Sequence, residues 1–147
     1  MAVPVGQRNI PNTVENKFLI AGERARYLAV HTIRICSNKN IFLEQYQGAL
    51  TEDLIATAKD IFIKTMSAND VRVNSEADWE KRSALQREAV LLCERMKRLI
   101  GIARELFHLR KGKTAFWVGL VEETLSLLRN WHDKDRERYR SRLNKGT

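Results

Sequence analysis

Proline is nearly missing from this chain: Pro4 and Pro11 are the only two, and both precede residue 12. Because proline removes a backbone donor and clashes with the preceding turn, its confinement to one end leaves the remaining residues free to form long helices. Cysteine is as scarce. Cys36 and Cys93 stand alone, with no CxxC spacing, which excludes a disulfide framework or zinc-finger pattern and predicts two buried, reduced thiols. No apolar run approaches the ~20 residues of a membrane span, and MAVPVGQRNIPN has no apolar core of signal-peptide length. A cytoplasmic protein that does not enter the membrane is expected. Nucleotide loops of the GxGxxG or GxxxxGK type and nucleophile elbows are absent too. No catalytic residue and no cofactor are therefore expected.

What the chain does have is charge and helical periodicity. Lysine and arginine number 26 against 18 aspartate and glutamate, a formal net charge of +8. Such a surplus draws polyanions or acidic partners by long-range attraction and says nothing of fold. A length of 147 residues suits one domain with a real core. The expected division is an amino-terminal arm at 1–12, a helical domain at 13–140 and a basic tail at 141–147.

Four stretches carry apolar residues at helical spacing. The first, over 13–36, begins at a capping Asn12 with Glu15 reaching back, and its seam is Val14, Phe18, Ala21, Ala25, Leu28, Thr32 and Ile35. Ser37-Asn38-Lys39-Asn40 breaks it. Residues 41–50 are ambiguous, with a helical turn covering one end of the bundle as one reading. A helix over 51–69 starts from a Thr51 cap, with Leu54, Ala58, Ile61, Thr65 and Ala68 as its seam.

Ser75-Glu76-Ala77-Asp78 resembles a capping box and opens a helix over 75–111 that ends near Gly112. Its expected seam is Leu85, Ala89, Leu92, Met96, Leu99, Ala103 and Leu106. Thr114 is the expected cap of the fourth helix, over 114–140, with Trp117, Leu120, Thr124, Leu127, Leu128 and Trp131 inward. Sustained 4-3 spacing and short turns predict an all-α, left-handed, antiparallel up-down-up-down four-helix bundle. The third helix would be roughly 50 Å long and the second about 30 Å, so something must cover the difference.

A second apolar line on the third helix, Ala84, Leu91, Ile102 and Leu109, lies roughly 100° from the seam, and Val118 and Leu125 repeat it on the fourth. Scattered surface apolars are the plain reading of these residues. Their recurrence on two adjacent helices instead predicts a homo-oligomer joined through Leu91, Ile102, Leu109, Val118 and Leu125. Basic residues align as well: Arg95 and Arg98 flank the second line, Lys97, Arg104 and Lys111 are seven apart, and Arg110, Lys111 and Lys113 crowd the next turn. Each is individually a solvated side chain, and as a set they suit phosphate oxygens. Glu105 and His108 form one Glu-x-x-His pair, but no second exists and both point away from the seam, so no metal site is expected. His31 and Cys36 diverge by about 140° and cannot chelate together. Trp117 and Trp131 fit the core or an interface, and Trp79 stays open.

LAVHTIRICSNKNIF (28–42), TAKDIFIKTMSAND (57–70) and FHLRKGKTAFWVGL (107–120) resemble segments of the accessory variability determinants of diversity-generating retroelements. The resemblance spans roughly 13–140 and lies in helix order and local phrases. The related bundle proteins encoded in intervening sequences of large-subunit ribosomal RNA genes share the architecture and remain an alternative. Membership in the first family implies a non-enzymatic homopentameric barrel that binds a reverse transcriptase and nucleic acid, RNA or cDNA, during mutagenic copying. The resemblance places basic contact residues of the third helix at Arg95, Arg98 and Arg104, although Glu94 and Glu105 interrupt that face.

Overall fold

A computed structural model describes residues 14–145 of the chain. The amino-terminal arm, the Asn12 cap and the side chains of Val14, Glu15 and Phe18 lie outside what is described. Four long helices follow one another: α1 (Val14–Cys36), α2 (Glu52–Asp70), α3 (Glu76–Phe107) and α4 (Lys111–Lys145). No β-strand occurs among the described residues, so the all-helical expectation holds.

Each helix packs on two others, in the ring α1–α2–α3–α4–α1. Side-chain pairs tie neighbouring helices together. Lys64 meets Glu88 and Thr57 meets Arg95 between α2 and α3; Arg82 meets Asp135 and Glu94 meets Arg129 between α3 and α4. Thr32 meets Trp117 and Arg24 meets Glu123 between α1 and α4. Between α1 and α2, Met66 packs over Gly22, where an added Cβ would stand 2.8 Å from Met66 Sδ.

The inward faces of α1 and α2 follow the sequence closely. Ala21, Ala25, Leu28 and Thr32 of α1 are buried, with Ile35 half-buried against the core, and Leu54, Ala58, Ile61, Thr65 and Ala68 of α2 are all buried. On α3 the seam is rotated. Ala89, Met96 and Ala103 are buried as expected, but Arg82, Gln86, Cys93 and Ile100 complete the inward 4-3 line in place of the expected leucines. Leu85, Leu92 and Leu99 flank it half-buried, and Leu106 is exposed. The rotation admits polar Arg82 and Gln86, whose hydrogen bonds to Asp135 of α4 make their burial tolerable. On α4, Trp117, Leu120, Thr124, Leu128 and Trp131 are buried as expected, Leu127 is half-buried, and the inward line continues through Asp135 and Tyr139.

Helix ends depart further from expectation. Thr51 is not a cap: its backbone is helical and its hydroxyl makes no capping bond, because a 3-10 turn (Glu44–Tyr46) and a π turn (Gln47–Thr51) lead directly into α2. This segment covers one end of the bundle, where the buried Phe42 ring packs 4.8 Å from Phe107 and 6.2 Å from Trp117. Ser75 is a true cap, accepting from the Asp78 N–H at 3.2 Å while Asp78 accepts from the Asn74 N–H. α3 stops at Phe107 rather than near Gly112. His108 takes a left-handed conformation (φ 53°), and the Leu109 N–H reaches back to the Arg104 carbonyl, closing the helix as a Schellman-type turn. Gly112 and Thr114 therefore sit inside the first turn of α4, with the Thr114 hydroxyl donating to the Arg110 carbonyl. The segment expected as a tail after residue 140 is helical through Lys145.

Candidate nucleic-acid and partner surface

The basic residues that the sequence singles out, Arg95, Arg98, Arg104, Arg110, Lys111 and Lys113, are all exposed. They do not form one patch. Arg95 and Arg104 are nine residues apart, hence about 180° around α3, so they serve different faces. Arg95 leans toward α2, its Nε donating to Thr57 Oγ1 at 3.3 Å. Arg98 stands on the outer face between Leu91 and Ile102. Arg104 lines a shallow hollow with Gly101, Glu105, His108 and Leu109. Arg110, Lys111 and Lys113 gather at the turn into α4. The expected Lys97, Arg104, Lys111 line is not continuous, because α3 ends between its last two members and Lys97 is paired with Glu94 at 3.3 Å. Among the described residues no salt bridge engages Arg98, Arg104, Arg110, Lys111 or Lys113, so their charge faces outward.

The expected oligomer stripe survives only in part. Leu91 and Ile102 are 67% and 53% exposed, but Leu109 and Val118 are half-buried against the core. Leu125 is 4% exposed and belongs to the core itself, because the α4 seam occupies a broader arc than the 4-3 line alone. Other apolar residues are exposed where that stripe does not reach: Ile20, Tyr27, Val30 and Ile33 on α1, and Phe116 on α4. The available signal was that α1 has apolar residues all around its circumference, more than one buried face requires.

A cleft of about 520 Å³ opens between the end of α1 and the start of α4. Its floor is the buried Phe42 and Trp117 with Ile41 and Leu109; its rim carries His31, Arg34, Asn38, Lys113 and Phe116. Trp117 is held rigidly, its Nε1 donating to Thr32 Oγ1 at 3.0 Å. His31 packs edge-on against Phe116 at 5.2 Å and tilted against Tyr27 at 6.3 Å. Burial, and then the neighbouring Arg34 charge, hold the His31 imidazole below its ordinary pKa and favour the neutral ring. Among the described residues, no carboxylate lines the cleft.

At the opposite end, a second polar cluster is closed to solvent. Asp135 Oδ2 accepts from Arg82 Nε and Gln86 Nε2, both at 2.8 Å, and Arg82 Nη1 donates to the Val71 carbonyl. The guanidinium lies 5.2 Å from the Trp131 ring and 5.7 Å from that of Tyr139. Trp79, whose place the sequence leaves open, stacks on His132, which shares a hydrogen bond with Ser83. Burial pushes the Cys36 and Cys93 thiols up to about 12, which removes them from thiolate chemistry at neutral pH. Among the described residues, no three His, Cys, Asp or Glu side chains gather into a possible metal-binding group, and no helix is long and apolar enough to cross a membrane. Comparisons with protein-family models, curated proteins and solved structures find no match to this chain.

Proposed function

We propose that this chain is a non-enzymatic, cytoplasmic accessory subunit of a diversity-generating retroelement, an up-down-up-down bundle assembled into a cyclic homo-oligomer that binds the reverse transcriptase and nucleic acid. The observation that carries the nucleic-acid part is the set of outward cations on α3 and around the turn into α4, set on a molecule of charge +8. Phosphates brought to such residues release condensed counterions, which gives affinity without base recognition. The assembly part is supported by the exposed apolar residues of α1 and by Leu91 and Ile102 on α3. The number five and the transcriptase partner rest on the family resemblance of residues 28–42, 57–70 and 107–120.

Light scattering and a mobility-shift series test the reading. The expected result is an oligomer at micromolar concentration that shifts RNA or DNA at low salt and releases it steeply as salt rises. Co-purification with a reverse transcriptase encoded beside the gene completes it. An oligomer that binds RNA or protein but retains no transcriptase would favour the ribosomal intervening-sequence type of scaffold instead, and one that shifts no nucleic acid a scaffold that binds only protein.

A further inference from the structure

We propose that the cleft between α1 and α4 is a base-binding subsite for single-stranded nucleic acid, with Phe116, braced edge-on by His31, stacking an unpaired base and Arg34 and Lys113 meeting the phosphates on either side of it. The inference rests on the nucleic-acid reading above and assigns it a place and a strand preference.

The cleft has the size and character of a pocket for a flat organic group. Its volume of about 520 Å³ falls inside the range of small-molecule sites, and its floor is rigid and apolar while its polar groups are few and lie at the rim. Phe116 lines the cleft and is 53% exposed, so its ring is available to a ligand. His31 packs edge-on against Phe116 at 5.2 Å, which steadies the Phe116 ring at the mouth. Asn38 uses its carbonyl oxygen to accept from the Asn40 N–H, which leaves its amide nitrogen to donate to an acceptor on a base edge.

Charge decides between classes of occupant. An acidic peptide with one aromatic anchor would need one cation at the rim. Here Arg34 and Lys113 flank the mouth on two helices, and Arg110 and Lys111 continue the positive track beyond it, with no carboxylate in the described lining. Several cations around one exposed aromatic ring match a polyanion that carries a flat group at every repeat, the combination by which proteins hold single strands. Bases inside a duplex are stacked and paired and cannot enter, so the cleft selects for unpaired strands.

Fluorescence anisotropy with a labelled oligouridylate and with a duplex of equal length tests this on the full chain. Phe116→Ala should weaken single-strand binding roughly tenfold to a hundredfold while leaving duplex binding and the salt slope unchanged, and Phe116→Trp should restore it. Lys113→Ala should flatten the single-strand salt slope by about 0.7. The proposal is overturned if Phe116→Ala binds the single strand as wild type does, if it loses both nucleic acids equally, or if its effect is confined to oligomeric state or to capture of the transcriptase. Wild-type protein that binds no nucleic acid even at low salt would instead remove the proposed function, and this subsite with it.

Discussion

Arg82 and Asp135 place opposite charges where almost no solvent reaches, and the rest of that end of the molecule is arranged around them. The carboxylate takes two donors, and the guanidinium bridges α3, α4 and the Val71 carbonyl after α2, so one side chain fixes three elements. Removing one partner leaves the other buried without its counter-charge. Asp135→Ala should therefore cost about 3–5 kcal/mol in denaturant unfolding, and Arg82→Met with Asp135→Leu should recover much of the loss. Nearby His132 is held below its ordinary pKa by burial, then by Arg136 and Arg87. A histidine whose folded pKa is depressed takes up its proton more readily when unfolded, so its contribution is intact above the unfolded value and falls away as pH drops through 6.5. The Tm should decline as pH falls from about 7.5 to about 5.5, and His132→Gln should flatten that decline. Periodicity does not single out Arg82 or Asp135, because a charged residue at an inward position looks like an error in a hydrophobic pattern until its partner on another helix is known.

The same blindness explains where the elements depart from expectation. α2 is legible because its inward positions are all small, apolar or threonine, and one 4-3 line accounts for them. α3 offers two lines that share Ala89, Met96 and Ala103, and the leucine-rich one is the more conspicuous although the buried line contains Gln86 and Cys93. Ile100→Ala should accordingly cost ~2–5 kcal/mol, whereas Leu91→Ala should stay within about 0.5 kcal/mol for the isolated subunit; equilibrium unfolding of both variants checks the phase. The end of α3 is hard to place because Gly112 is the obvious stop while the left-handed position is held by a histidine. His108→Gly should be neutral or stabilising by up to ~1 kcal/mol, since glycine adopts that conformation at no steric cost. Residue type alone suggests caps at Thr51 and Thr114, but each follows a turn that already continues the helix.

Across the whole molecule, the four helices and their order are legible in the sequence, whereas the functional surface is legible there only as a set of cations. Composition locates the positive charge, but the division of Arg95, Arg98 and Arg104 among different faces and the gathering of Arg34, Lys113 and Phe116 at one cleft are products of packing between helices, which periodicity within a helix does not encode. Leu125 is lost to the core, and the exposure of Ile20, Val30 and Ile33 supports placing the proposed assembly surface on α1 as well. Val30→Glu with Ile33→Glu should dissociate an oligomer that Leu91→Glu alone weakens less, as light scattering at micromolar protein would show. The most direct measurement of the functional account is the affinity for a single-stranded RNA across a salt series, wild type against the combined Arg95→Ala, Arg98→Ala, Lys111→Ala and Lys113→Ala variant. The account predicts binding that weakens steeply with salt and a variant slope flatter by about 0.7 for each phosphate left without its cation; a wild type that binds no strand at low salt, or two slopes that coincide, would contradict it.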